Sequence, residues 1–241
     1  ANHHWFIGDA MLHSVKFDNG KASSYRNRWV RTEDIEEKLG YTAAPVCDAK
    51  LLVQGSGNVN VVAHGGRVLA LPEIGLPYEV DLELDTQRQY DFGGRLASSM
   101  TAHPKIDGKT GEMLFFGYDF VPPYLRYHHV NTAGELTRTV EVDLPEPVMM
   151  HDFGVTATKV IFMDLPIVGN FGLLEKGYSM PFSWSDSHQA RLGVMDRNAD
   201  EGAVKWIDID PCYVFHPMNS YDDGENVVMD VVRYKKAFTD P

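Results

Sequence analysis

Glycine-bearing turns set between short runs of alternating side chains narrow the folds open to this chain more than any other feature. Residues 11–17 alternate, Asp18-Asn19-Gly20 follows, and residues 22–30 continue as a second run. Asn-Gly between two such runs supplies the left-handed backbone positions that a tight hairpin turn needs. The pattern recurs: residues 58–63 and 67–71 flank His64-Gly65-Gly66, residues 125–130 and 136–142 flank Asn131-Thr132-Ala133-Gly134, and residues 190–195 and 204–209 flank a polar turn over 196–202. Residues 112–118 read as a further strand, and 155–165 as a strand pair turning at Ala157-Thr158. Residues 213–216 and 226–234 read as strands around Asp222-Asp223-Gly224-Glu225.

One short helix interrupts this texture. Thr32 can cap it, acidic Glu33, Asp34, Glu36 and Glu37 suit its positive end, Lys38 suits its last turn, and Gly40 stops it. Everything else reads as strand and turn, so the fold class is all-β: a barrel, a sandwich or a propeller. Hairpins recurring in groups of roughly 40–50 residues favour the propeller. The stretch 165–184 differs, because its apolar residues lack a period and Gly and Pro break it. It is either a loop packed under its neighbours or an apolar flap over a substrate passage or against a bilayer.

With 241 residues the chain can bury a sizeable core. Its net charge of −12 disfavours nucleic acid as a partner, since such binders need a basic surface. Cys47 and Cys212 are the only cysteines, which excludes a disulfide scaffold and makes a reducing compartment the default. No apolar run has the length of a membrane-spanning helix. The chain opens Ala1-Asn2-His3-His4-Trp5 and stops at Phe238-Thr239-Asp240-Pro241, and both ends read as cuts through a structured protein.

Three histidines stand at the boundaries of strand-like runs: His103 before Pro104-Lys105, His151 between Met149-Met150 and Asp152-Phe153-Gly154, and His216 between Phe215 and Pro217. Their separations, 151 − 103 = 48 and 216 − 151 = 65, exclude a hook on one helix. They suit an architecture in which successive sheets each deliver one ligand to a shared axis. Imidazole is the commonest metal ligand, and an all-histidine site suits Fe, Zn or Cu.

The same blocks resemble the carotenoid cleavage oxygenases, a family that includes the lignostilbene dioxygenases. His4-Trp5-Phe6-Ile7-Gly8-Asp9-Ala10-Met11-Leu12-His13 is similar to the family's W-F-D-G-D-G-M-L-H block, and Tyr25-Arg26-Asn27-Arg28-Trp29-Val30-Arg31-Thr32 to its Y-x-N-R-W-V-R-T strand. Asn58-Val59-Asn60-Val61 and Leu69-Ala70-Leu71-Pro72-Glu73 follow in family order. The histidine motifs complete the series, with Asp107, Thr110-Gly111-Glu112 and Phe116-Gly117-Tyr118 after the first. The resemblance runs from end to end of the chain, while family members are about twice as long.

That resemblance implies a seven-bladed β-propeller with Fe(II) held on its axis by four histidines. Residues 1–241 would form one partial carotenoid oxygenase domain, an open arc of blades without closure between its first and last strand. Three ligand slots fall on His103, His151 and His216, and the fourth lies beyond Pro241. Glu73 takes the place of the family's first carboxylate behind a ligand, which agrees with the usual need of a ligating imidazole for a hydrogen-bond acceptor on its other nitrogen. His13, His64, His128, His129 and His188 match no slot and read as structural or surface residues.

The reaction implied is oxidative scission of a carbon–carbon double bond by O2 to give two carbonyl products. The partners implied are O2 and an apolar alkene; the expected location is cytoplasmic, either free or peripheral to a membrane. The expected substrate is a carotenoid or apocarotenoid. Stilbene-cleaving members place a Lys before the Glu to meet the substrate phenol, and here that position is Pro72, which has no donor. A stilbene or phenylpropanoid substrate is the alternative. Phe171, Leu173, Leu174 and Phe182, from the apolar stretch, are candidates to line the substrate passage. Two readings of another class stand beside these: a non-catalytic propeller module with structural histidines, or an inactive piece of an active parent.

Overall fold

A computed structural model of the chain describes residues 4, 6–49 and 51–239. It opens with a hairpin of β1 (Met11–Asp18) and β2 (Lys21–Trp29), turned at Asn19-Gly20 with both residues at positive φ. Helix α1 (Glu33–Leu39) follows. Thr32 Oγ1 accepts from the Ile35 amide, and Gly40 ends it at φ 74°. The next four strands are β3 (Asn60–His64), β4 (Arg67–Leu71), β5 (Tyr78–Val80) and β6 (Thr86–Gln89), paired in that order. A second sheet repeats the plan with β7 (Lys105–Ile106), β8 (Met113–Tyr118), β9 (Leu125–Val130) and β10 (Leu136–Val142).

The third sheet begins with β11 (Gly154–Val155) and β12 (Lys159–Asp164). Before it resumes, the chain makes a separate small unit: β13 (Ile167–Gly169), α2 (Gly172–Glu175) and β14 (Phe182–Trp184), with β13 paired to β14. Then β15 (Arg191–Asp196) and β16 (Lys205–Asp208) complete the order β11-β12-β15-β16. Strands β17 (Pro217–Asp223) and β18 (Asn226–Val231) form a final hairpin.

Packing explains why some strands alternate in sequence and others do not. On β8, Met113 and Phe115 face a core shared with Leu69 and Leu71 of β4, while Leu114, Phe116 and Tyr118 face a second core shared with Phe153, Val160 and Phe162. The sheet is therefore buried on both faces, so β8 is apolar throughout. Likewise Leu69 and Leu71 of β4 point one way, and Ala70 points the other way against Ala10, Leu12 and Val30. Antiparallel four-stranded sheets stacked face to face, with β11 packed against β17, are propeller blades.

The blades are also stitched by polar groups. Arg197, from the turn after β15, donates Nη1 to the Thr156 carbonyl and pairs with Asp107 at 2.8 Å, while its own carbonyl accepts from Tyr127. Asp222 on β17 accepts from the hydroxyls of Thr156 and Thr158.

The arc is open. Among the described residues no ladder joins β1–β2 to β17–β18, and these outer hairpins carry exposed Val15, Phe17, Tyr25 and Met218.

Three expectations need correction. The last hairpin does not use residues 213–216 as its first strand. It starts at Pro217, and Tyr213 makes only an isolated bridge to Tyr234. Residues 165–184 are neither a bare loop nor wholly a flap but the β13–α2–β14 unit, whose helix was not expected. Short strands β5, β6 and β7 also escaped notice, because two to four residues are too few to show a period.

Candidate metal centre

Each of the three histidines stands at the entry to the first strand of a sheet. His103 lies two residues before β7, His151 three before β11, and His216 immediately before β17. These strands are the edges of their sheets in sequence order, and two of them, β11 and β17, touch across the interface between blades. Pro104 and Pro217 hold the residue before them away from helical backbone, which keeps His103 and His216 on extended chain. After His151 the Asp152 carboxylate accepts from the Phe153 amide and fixes the turn.

The strands bring the three imidazoles together. Nε2 of His103 is 3.1 Å from Nε2 of His151, His151 Nε2 is 3.0 Å from His216 Nε2, and the third side of the triangle is 3.4 Å. The ring centroids are farther apart, at 4.6–4.7 Å, so the nitrogen corners turn inward. Neighbouring ligand atoms on an ion with bonds of about 2.0–2.2 Å are about 2.8–3.6 Å apart from octahedral to tetrahedral geometry. The observed spacings fall inside that window. Three N–H groups aimed at one point would repel each other, whereas three lone pairs aimed there suit a cation.

The carboxylate of Glu73 decides one tautomer. Both its oxygens lie 3.0 Å from His151 Nδ1, which leaves the His151 lone pair on Nε2 when Nδ1 donates. Glu73 arrives on the turn from β4 to β5, where Gly75 at φ 104° sits so close to Gln54 and Gly55 that a Cβ would meet the Gly55 amide nitrogen at 2.4 Å. Electrostatics divide the triad. Burial, then the neighbouring imidazoles, pushes His103 down to about 3, and burial with His151 also lowers His216. Burial works against charge on His151 too, but the hydrogen bond and charge of Glu73 outweigh it and raise its pKa. At neutral pH His103 and His216 are therefore uncharged, each with one unprotonated ring nitrogen.

The RPE65 family model, that of the retinal pigment epithelial membrane protein, matches residues 1–241. The chain belongs to this carotenoid cleavage oxygenase family. It is 36% identical over 283 residues to a carotenoid cleavage oxygenase of Mycobacterium tuberculosis, covering 99% of this chain and 56% of that protein. It is 35% identical to carotenoid 9,10(9',10')-cleavage dioxygenase 1 of Arabidopsis thaliana, covering 100% of this chain and 50% of that one. The crystal structure of Pseudomonas brassicacearum lignostilbene dioxygenase superposes with a TM-score of 0.80 at 29% identity, over 94% of this chain and 50% of its own. The chain thus spans about half the length of the relatives it matches.

Of the family blocks read from the sequence, Trp5 lies outside the described residues. Phe6 packs edge-on against Phe215, beside His216, and its carbonyl accepts from Asn58. The histidines expected outside the ligand slots stay outside the triad. His128 is buried between Ser98 and Thr139, His188 between Asp164 and Glu146, and His64 reaches the Gly111 carbonyl. The four residues expected along a substrate passage divide. Leu173 and Phe182 are buried, while Phe171 and Leu174 are half exposed. Phe120 ties them together, with its ring 5.3 Å from those of both Phe171 and Phe182. Pro72 is buried, and a Cβ at Gly55 would come within 2.9 Å of its ring.

Two features of this centre were missed in the sequence. Tyr118, last residue of β8, donates its hydroxyl to Glu73 Oε1 at 2.8 Å. Lys105 and Asp152, each beside a triad histidine, form an ion pair of 2.7 Å. The signal for the second was present, since opposite charges follow His103 by two places and His151 by one.

Proposed function

We propose that the full protein containing this chain is a non-haem Fe(II) dioxygenase that cleaves a double bond of a carotenoid or apocarotenoid with O2, giving two carbonyl products. The observation that carries this reading is the inward triangle of His103, His151 and His216 with Glu73 behind His151. A neutral all-nitrogen donor set suits iron. Zinc shares the preference but has no redox chemistry, and the relatives in this family are named oxygenases and dioxygenases. When bound, the ion would supply the electron-transfer capacity that lets O2 react with an alkene.

The protein's own contribution is positional. His103 and His216 offer unprotonated nitrogens at neutral pH. Glu73 holds the His151 ring in one orientation. Phe182 and Leu173 give an apolar wall and Phe171 and Leu174 an apolar edge, suited to guiding a polyene. Val121, Phe171 and Leu174 are exposed, which supports peripheral membrane contact as the place where an insoluble substrate is collected. Among the described residues no helix is long and apolar enough to cross a membrane. Free Cys47 and Cys212 accord with a cytoplasmic setting.

The structural match to a lignostilbene dioxygenase favours a second reading, a stilbene substrate. Pro72 opposes it, because a proline side chain cannot donate to a phenol. Burying a polyene gains roughly 0.8 kcal/mol per CH2-sized group, so a long substrate needs no polar anchor. The test is a paired product assay with an apocarotenal and a 4-hydroxystilbene on the iron-loaded full-length protein. Apocarotenal should turn over faster, with alkene-dependent O2 uptake. Faster stilbene turnover overturns the substrate assignment, and no O2 uptake with either overturns the dioxygenase reading.

A further inference from the structure

The Glu73 carboxylate is held from two sides. On one, His151 Nδ1 lies 3.0 Å away, and on the other the Tyr118 hydroxyl donates to Oε1 at 2.8 Å. Oε2 has no hydrogen-bond partner of its own. Nothing besides Tyr118 and His151 is hydrogen-bonded to this carboxylate among the described residues. Without the tyrosine, His151 alone would hold Glu73, and terminal sp2 torsions have broad wells that do not fix themselves.

Tyr118 is itself immobile. Its side chain is buried at 2% exposure, its ring meets Phe182 edge-on at 6.2 Å, and it stacks on Phe116 at 6.4 Å. The preceding residue locks the strand in place, since a Cβ on Gly117 would fall 1.8 Å from the Ser99 carbonyl oxygen. The backbone of β8 thus sits directly on the 98–100 segment, and the tyrosine at its end has one direction in which to point. Phe182 comes from the β13–α2–β14 unit, so Tyr118 touches that unit as well as the centre.

We infer that Tyr118 is a positioning residue for the metal centre, fixing the Glu73 carboxylate that in turn fixes the His151 imidazole. The inference rests on the reading of His151 as a metal ligand. Loss of a direct carboxylate partner of a ligating histidine costs roughly 10–100-fold in metal affinity. A residue one step further out should cost less, roughly 3–10-fold on the same scale.

The test uses Co(II) as the probe on the full-length protein, because its visible absorption reports ligand geometry without turnover. Tyr118→Phe should retain the wild-type far-ultraviolet circular dichroism, weaken Co(II) binding by the stated factor and shift the visible band. Tyr127→Phe is the control. It removes an equally buried hydroxyl that donates to the Arg197 carbonyl and should leave affinity and band unchanged. In a Glu73→Gln background, Tyr118→Phe should add little, as expected for residues acting through one another. Wild-type affinity and spectrum in Tyr118→Phe, or full additivity with Glu73→Gln, overturns the inference. If Tyr118→Phe does not fold, fluorotyrosine at position 118 is the near-isosteric substitute. A shifted band supports the inference, and an unshifted one overturns it. A wild-type protein that takes up no Co(II) at the triad removes the ligand reading of His151 and this inference with it.

Discussion

Lys105 and Asp152 meet at 2.7 Å, and each stands within two residues of a different histidine of the triad. Asp152 is 3% exposed at its side chain, so water screens its charge little, and burial raises its pKa against the opposing pull of Lys105. The pair ties the loop that carries His103 to the loop that carries His151. Removing the lysine leaves the aspartate buried without its counter-charge, the costly way to break such a pair. Lys105→Met is expected to lose about 1–3 kcal/mol of stability, short of a fully buried pair because the lysine is partly exposed. Urea unfolding of the full-length protein measures this, and an unchanged midpoint would show that the pair contributes nothing.

Replacing His103, His151 or His216 with Ala in the full-length protein should abolish bound iron, measured as metal per protein after purification. Glu73→Gln should keep the site but weaken it by roughly 10–100-fold. Full iron content after any of the three alanine changes removes that histidine from the ligand set.

His188 predicts a pH dependence. It bridges Glu146 and Asp164, each at 2.8 Å, and Asp164 is fully buried and also paired with Arg191. Burial disfavours charge on His188, but the two carboxylates outweigh it and raise its pKa above 6.5. A folded value above the unfolded one means that its contribution is complete below about pH 6.5 and fades as pH rises through the folded value. Stability should therefore decline from pH 6.5 upward more steeply in wild type than in His188→Gln. Parallel profiles would refute the assignment. Below that range His128 acts in the opposite sense. Burial depresses it to about 3, so stability is lost as pH falls from 6.5.

Two glycines rank the tightness of packing, Gly117 against the segment joining β6 to β7 and Gly154 across the interface between β11 and the last hairpin. Gly117→Ala would drive a methyl into the Ser99 carbonyl, a backbone atom that cannot rotate away. Gly154→Ala would meet Ser220 Oγ at 2.7 Å and Met229 Sδ at 3.0 Å, both side-chain atoms able to shift. Overpacking costs about 1–3 kcal/mol, and Gly117→Ala is expected at or above the upper end with Gly154→Ala below it. Reversal of that order in thermal unfolding would contradict the packing described.

What is legible in the sequence is what has a local cause. The hairpin turn at Asn19-Gly20, the helix stopped by Gly40 and the strand 125–130 all follow from residues within a few places of each other. The triad was legible because each histidine sits in its own motif. What stayed hidden depends on distant partners. Strand β8 has no alternation because neighbouring blades cover both its faces. Tyr118 reads in the sequence only as part of the Phe116-Gly117-Tyr118 block, and its role depends on Glu73, 45 residues away, standing beside its hydroxyl. The uneven histidine spacing has a plain origin too. First strands of successive sheets start 105 − 60 = 45, 154 − 105 = 49 and 217 − 154 = 63 residues apart. The long third interval contains the β13–α2–β14 unit.

That unit has a wider consequence. Its two strands pair with each other, and its backbone joins the neighbouring chain mainly near Pro147 and Val148. The exposed stretch 174–177 can therefore change in length during evolution while β12 and β15 stay in register, whereas Ile167, Leu173 and Phe182 are fixed in the core. Under the proposed function, the scaffold keeps the segment offered to the substrate apart from the histidine centre. Divergence among such proteins can then proceed by editing one peripheral segment under a constant centre.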